Sequence, residues 1–178
     1  SHTAGYISIE SFIGSSAADM LTGENNANLW TLSSSDGGDI DGFYTFTSFE
    51  NLVGGGASDR FALADGVTLS GQINGQGGVD ELDYSAVSSS IAVDLQAGAA
   101  SHTGGFANLE TFTGSSAANT LTGENNANLW TISSSNGGDI DGVYTFTSFE
   151  NLVGGGASDR FALADGVTLS GQINGQGG

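Results

Sequence analysis

The sequence predicts an all-β chain wound as a right-handed parallel β-helix, or β-solenoid. Three observations carry that prediction. Residues 101–178 repeat residues 1–78 with 66 of 78 positions identical. Inside the 100-residue unit a Gly-rich corner followed by Asp and alternating apolar residues recurs about every 20 residues. Among 178 residues there are 30 Gly and no Pro. Near-identical copies at a fixed period are the signature of stacked repeats, each of which buries its apolar face against its neighbours.

The organisation follows from the long period. Residues 1–100 form a first repeat, and 101–178 a second, truncated one, continuous with the first. The second copy reaches Gly178, the equivalent of Gly78, so the array is expected to be longer than this chain.

The short period separates a coil from a bead. A 100-residue unit also suits an immunoglobulin-like domain, which needs hairpins with varied loops. Here the corners IGSSAADMLT, SDGGDIDGFYTF, VGGGASDRFALA and NGQGGVDELDYS place Asp19, Asp41, Asp59 and Asp80 at intervals of 22, 18 and 21 residues. Five coils of about 20 residues fill the unit, the fifth being QAGAASHTGGFANLE, whose corner has no Asp. Right-handedness follows from the rule for parallel crossovers. Nine coils at ~4.8 Å each give a rod roughly 43 Å long.

Alternation assigns the strands. Phe43, Thr45 and Thr47 face away from Tyr44 and Phe46, and the pairs Phe61/Leu63 and Leu82/Tyr84 each share a side. Glycine supplies tight corners, and an interior strand cannot spare the N–H that Pro lacks. The inward set comprises Ile9, Phe12, Leu21, Leu29, Ile40, Phe43, Phe46, Leu52, Phe61, Leu63, Val67, Leu69, Ile73, Leu82, Ile91, Val93 and Leu95. The best helical candidate, ASDRFALADG, lies among Gly clusters and β-branched residues, so it reads as strand and corner.

Charge excludes whole classes of partner. Twenty Asp and Glu stand against two cations, Arg60 and Arg160, for a formal charge of −18. Such a chain repels nucleic acid and anionic membranes and attracts cations. No apolar run approaches the ~18 residues that cross a bilayer, so no membrane insertion is expected. With no Cys, neither disulfides nor thiolate metal sites hold the fold.

The corners resemble a known motif. Gly54-Gly55-Gly56-Ala57-Ser58-Asp59-Arg60-Phe61 and Gly75-Gln76-Gly77-Gly78-Val79-Asp80-Glu81-Leu82 are similar to GGxGxDxUx, with U apolar, the calcium-binding β-roll repeat of RTX exoproteins. The longer phrases FENLVGG, DRFALADG, GGVDELDYSA and NLETFTGSSAANTLTG resemble the repeat regions of giant secreted bacterial surface adhesins of the filamentous-haemagglutinin-like and RTX-like kind. The resemblance spans the chain and implies a β-solenoid in an extracellular or cell-surface setting.

It also implies calcium ligands. The candidates are Asp39 and Asp41 in GGDIDG, Asp59, Asp80 and Asp83, with the second-copy residues Asp139, Asp141 and Asp159. Alternate residues on a strand point one way, so Asp39 and Asp41 are expected to converge on one ion. Against obligatory calcium, the motif occurs only once in about 20 residues and is degenerate each time, and Asp19 and Asp36 become Asn119 and Asn136 in the second copy.

The other conspicuous residues read as structural. Trp30 and Trp130 follow ENNANL and are expected to cover the edge of a narrow core rather than stack on a sugar. His2 and His102 sit in SHTxG corners without a second His, which argues against a metal role. Asn25, Asn26 and Asn28 read as turn formers. Thr45, Thr47 and Thr68 do not recur as a regular TxT ladder, so no water-ordering face is expected.

The expected function is therefore a non-catalytic extracellular repeat, forming a structural or adhesive rod or filament. Its expected partners are neighbouring repeats or further copies end to end, and a carbohydrate or cell surface. The alternative is a calcium-dependent RTX-like module that folds on meeting the ion outside the cell. A β-helical polysaccharide-active enzyme is the weakest reading, because two Arg make no basic cleft and no insertion carries a site found only once.

Overall fold

A computed structural model describes residues 8–177, and among them every regular element is a strand. In chain order these are β1 (Ser11–Ile13), β2 (Met20–Thr22), β3 (Leu29–Ser34), β4 (Gly37–Ile40), β5 (Tyr44–Thr47), β6 (Asn51–Gly55), β7 (Arg60–Leu63), β8 (Gln72–Gln76), β9 (Glu81–Asp83) and β10 (Ala92–Asp94). They continue with β11 (Ala99–Ala100), β12 (Gly105–Ala107), β13 (Thr111–Thr113), β14 (Thr120–Thr122), β15 (Leu129–Ser134), β16 (Gly137–Ile140), β17 (Tyr144–Thr147), β18 (Asn151–Val153), β19 (Arg160–Leu163) and β20 (Ile173–Asn174).

The chain alternates between two faces as it climbs. One face is an 11-stranded sheet ordered β1-β5-β4-β3-β7-β9-β13-β17-β16-β15-β19. The other comes in two segments, β2-β6-β8-β12 and β11-β10-β14-β18-β20. Strands of successive turns pair in parallel, as Phe61↔Leu82↔Phe112 do on the first face and Leu52↔Ile73↔Phe106 on the second. The β-solenoid and its tandem repetition are thus as expected, and ASDRFALADG forms β7 and a turn rather than a helix.

The coil length departs from the expected 20 residues. A 21-residue step occurs between Arg60 and Glu81, between Leu52 and Ile73 and between Leu152 and Ile173, but other steps run from 28 (Ala92↔Thr120) to 34 (Ser11↔Thr45). The chain makes about five turns, roughly 31 residues apart, not nine. Two features lengthen the coil: an antiparallel meander, β3-β4-β5, repeated as β15-β16-β17, that adds two rungs to one face without advancing the other, and, between Ala92 and Thr120, the antiparallel hairpin β10-β11 followed by β12.

The second turn of the meander, between β4 and β5, is Asp41-Gly42. Both residues have positive φ, +57° and +70°, and the Phe43 N–H donates to the Ile40 carbonyl at 3.0 Å. Asp-Gly is a strong hairpin signal, since Asp tolerates and Gly favours the left-handed region. As a solenoid corner this dipeptide implies a period near 20 residues; as a hairpin turn it lies inside one longer coil. The meander's extra rungs still leave the rod near the expected length: eleven strands at ~4.8 Å span about 48 Å.

The core lies between the faces as one cluster. Trp30 is fully buried, stacked on Phe61 at 5.5 Å and meeting Phe46 edge-on at 5.8 Å; Trp130 repeats this with Phe161 and Phe146. Such pairs add about 0.5–1.5 kcal/mol beyond the area they bury. Both indoles are closed to a sugar ring.

Of the expected inward set, Ile40, Phe46, Leu52, Phe61, Leu63, Val67, Leu69, Ile73, Leu82, Ile91, Val93 and Leu95 are buried, and Phe12 and Leu21 are partly so. Three residues are not. Phe43 is 75% exposed because it sits in the β4–β5 turn. Leu29 faces out because Trp30 and Leu32, of opposite parity, face in. Ile9 precedes the first strand, β1, which has a neighbour on one side only among the described residues.

Candidate functional site

The polar chemistry of the chain concentrates where the coil turns into a strand. A six-residue loop, Gly-x-x-x-x-Asp/Asn, occurs seven times: Gly14 to Asp19, Gly23 to Asn28, Gly54 to Asp59, Gly75 to Asp80, Gly114 to Asn119, Gly123 to Asn128 and Gly154 to Asp159. Each ends at the residue immediately before a strand. In all seven the Asp or Asn side chain folds back beneath the glycine, in the space a Cβ there would need.

These side chains clip one turn to the next. Asp59 Oδ1 accepts from the Asn28 N–H at 2.8 Å, Asp80 Oδ1 from the Asp59 N–H at 2.7 Å, and Glu110 Oε2 from the Asp80 N–H at 3.0 Å. On the other face Glu50 Oε2 accepts from the Asp19 N–H and Glu150 Oε2 from the Asn119 N–H, both at 2.7 Å. A corner N–H left unmet would carry the desolvation cost of an orphaned donor, about 1–3 kcal/mol. The column is a ladder of charge-assisted bonds parallel to the rod axis.

One oxygen of several corners has no partner. Asp59 Oδ2, Asp80 Oδ2, Asp159 Oδ2, Asn28 Oδ1 and Asn128 Oδ1 are buried without a hydrogen bond. Burial pushes the Asp59 carboxyl up to about 6, against the Asn28 N–H, and the charges of Asp80 and Asp41 add to it. Asp80 is raised for the same first reason, with Glu110 adding. Asp19 is the contrast: half-buried, and bonded to the backbone N–H and hydroxyl of Ser15, it is held below the usual carboxylate range.

The remaining candidate ligands have other partners. Asp39 Oδ1 accepts from the Gly42 N–H at 2.8 Å, and Asp139 repeats this with Gly142. Asp41 lies beyond the end of β4 in the left-handed region, so its carboxylate turns back to the Leu29 N–H at 2.8 Å and Asn28 Nδ2 at 3.0 Å rather than lining up with Asp39. Asp141 does likewise with Leu129 and Asn128. Asp83 is buried, accepts from the Ser85 N–H at 2.8 Å and pairs with Arg60, whose Nε also lies 3.4 Å from Glu81. Among the described residues no group of three or more His, Cys, Asp or Glu side chains is placed to hold one metal ion.

No known family, curated protein or solved structure matches the chain.

His102 sits in a turn at φ +63°, its ring 6.4 Å from that of Tyr84, and His2 lies outside the described residues. The sequence reading found Asp19, Asp59 and Asp80 but not the rest of the ladder. No Gly loop precedes Glu50, Glu110 and Glu150, so their signal in the sequence is position alone, one residue before a strand.

Arg60 gives a test of the ion pair, because its copy Arg160 has no such partner among the described residues. Arg60→Ala is expected to cost about 1–2 kcal/mol by leaving Asp83 buried without its counter-charge. Arg160→Ala should change stability by under about 0.5 kcal/mol, and urea melts of the two variants check the difference.

Proposed function

We propose that the chain is a non-catalytic extracellular repeat, of the kind its sequence resembles in giant bacterial surface adhesins, forming a structural or adhesive rod on the cell surface or in the matrix. The observation that carries this reading is repetition without specialisation. The same corners, the same Trp–Phe stack and the same carboxylate clips recur in both copies. Catalysis needs one constellation singled out in a cleft, whereas a rod needs each rung to resemble the last. Among the described residues, strands β1, β2, β19 and β20 have a neighbour on one side only, so neighbouring repeats or further copies can continue their sheets. The acidic surface suits a carbohydrate or cell-surface partner better than nucleic acid.

Electron microscopy over rising protein concentration tests assembly. Filaments many times the length of one chain are the expected result. Monodisperse rods about one chain long, at high concentration with and without calcium, would end the filament reading.

A second reading, a calcium-dependent RTX-like module, is favoured by the unpartnered oxygens of Asp59 and Asp80 on successive turns, which a cation would satisfy. Circular dichroism melts in EDTA and in millimolar calcium separate the two. Equal β content and equal Tm fit a rod held by packing and ladder bonds. A disordered spectrum in EDTA that becomes β with calcium fits the ion-dependent module.

A further inference from the structure

We infer that the rod carries a built-in flexure between β11 and β12, where it opens on one face and bends over the other. The flexure is a property of the single rod, whether or not chains assemble end to end.

The two faces are built differently at this level. On the first face β9 passes to β13 without a break, through Glu81↔Thr111, Leu82↔Phe112 and Asp83↔Thr113. On the second face one sheet ends at β12 and the next begins at β11. Among the described residues no ladder pair joins β11 to β12, and the Phe106 N–H donates to the Gly98 carbonyl at 2.8 Å across the seam. Both flanks are held by full ladders. Strand β12 pairs with β8 through Gly105↔Gln72, Phe106↔Ile73 and Ala107↔Asn74, and β10 pairs with β14 through Ala92↔Thr120, Val93↔Leu121 and Asp94↔Thr122.

The turn at residues 101–104 links the flanks and serves as the pivot. On one side the Ser101 N–H donates to the Ala92 carbonyl at 2.9 Å; on the other the Gly104 N–H donates to the Gly71 carbonyl at 2.7 Å. Within the turn the Thr103 N–H and hydroxyl both donate to the Ala100 carbonyl, at 3.3 and 2.9 Å. Gly98, His102 and Gly105 have φ of +59°, +63° and +137°, a region that glycine enters freely and His only with some strain.

Side-chain chemistry makes this the place that opens first. Residues 96–105 read Gln-Ala-Gly-Ala-Ala-Ser-His-Thr-Gly-Gly, so parting the seam uncovers little apolar surface, while Phe106 stays against Phe112 at 5.2 Å. The meander β3-β4-β5 is the contrast. Its strands join through ladders that include Trp30↔Ile40 and Gly38↔Phe46, and its buried Trp30 meets Phe46 edge-on at 5.8 Å. Segments with few bonds and little buried apolar surface open below the global unfolding free energy. Because β9–β13 stays paired, opening bends the rod instead of breaking it, with the second face on the outside of the bend. In an array of such units the flexure recurs once per repeat, letting a rod follow a curved surface.

The chain has no Cys, so pairs of spin labels can be placed on introduced cysteines and their separations read by pulsed electron resonance. Gln72→Cys with Ala92→Cys spans the seam, and Ala62→Cys with Thr147→Cys spans the β9–β13 junction; each pair lies three strands apart, about 14 Å. The seam pair is expected to give a distance distribution at least twice as wide, with its tail toward longer distances. Equal widths, or the wider distribution on the first face, overturn the flexure. Gly98→Ala, whose Cβ would meet the Phe106 carbonyl at 2.9 Å, should widen the seam distribution further and leave the junction pair unchanged; widening of both alike counts against the seam. Amide exchange of the unaltered chain needs no substitution. Corrected for intrinsic rates, the Phe106 N–H should be protected at least tenfold less than the Thr111 N–H, which donates to the Asp80 carbonyl across the junction at 2.9 Å, and equal protection overturns the proposal.

Discussion

Gly75→Ala is expected to lower Tm by roughly 6–12 °C, and Gly175→Ala is not. The two glycines occupy the same place in identical sequence, and neither has a positive φ, so backbone conformation does not distinguish them. A Cβ at Gly75 would overlap the Asp80 carboxylate and the Asn108 carbonyl; at Gly175 it would meet nothing among the described residues. Backbone and a buried, hydrogen-bonded carboxylate give way less easily than a side-chain tip, so the upper part of the ~1–3 kcal/mol range for overpacking applies. For a domain of this size each kcal/mol moves Tm by about 2–4 °C. Gly175→Ala should gain a few tenths of a kcal/mol at most, through the unfolded chain. Gly54→Ala and Gly154→Ala make the control: each lies over its own carboxylate, Asp59 or Asp159, so both should be costly. Thermal melts of the four variants test the corner geometry directly. Equal Tm for Gly75→Ala and Gly175→Ala would mean that the turns are not stacked as described.

Stability should rise as pH falls from 8 to about 5, and Asp59→Asn should abolish much of that rise. The carboxyl of Asp59 is pushed up to about 6 in the folded chain from 3.8, and Asp80 is raised as well. A raised folded value means that between about 4 and 6 the folded chain holds more protons than the unfolded one. Protonation therefore stabilises as pH drops through 6, and the gain is complete near 3.8. For Asp59 the effect is on the order of 2–3 kcal/mol. Asp19 and Asp65 act in the opposite sense, being held low by Ser15 and Ser88, so their contribution is present above about 4 and fades below it. The maximum is expected between about pH 4 and 6.

The second copy shows what an amide does in such a corner. Asn119, the counterpart of Asp19, is buried; its Oδ1 accepts from the Ile91 N–H at 3.0 Å, and its Nδ2 donates to the carbonyls of Ser115 and Ser148 at 3.1 and 2.8 Å. An Asn at position 59 keeps the acceptor for the Asn28 N–H and replaces the unpartnered oxygen with a donor facing the loop. Asp59→Asn is therefore expected to raise Tm at pH 8 and to flatten the pH profile. Urea melts at pH 5, 6.5 and 8 check both. Should Asp59→Asn instead destabilise the chain at pH 8, and only in the presence of calcium, the carboxylate is an ion ligand and the calcium-dependent reading gains.

The sequence determined the class of fold, because its evidence is local and repeated. Asp59 and Asp80 at corners, the alternation of Phe61 with Leu63, and the absence of Pro each depend only on neighbours along the chain. The sequence also placed most of the core, missing at Phe43 and Leu29 where a turn and the parity set by Trp30 and Leu32 decided the direction. Only the tertiary structure decided the step of the coil and the role of the acids. Which rung a strand joins is a contact between residues 21 to 34 apart, and Asp41-Gly42 reads equally as a corner or a hairpin until β3 and β5 are seen on either side of β4. Asp39 and Asp41 looked like two ligands of one site. They are divided by the turn, since a carboxylate is spent on whichever N–H the neighbouring turn brings within reach.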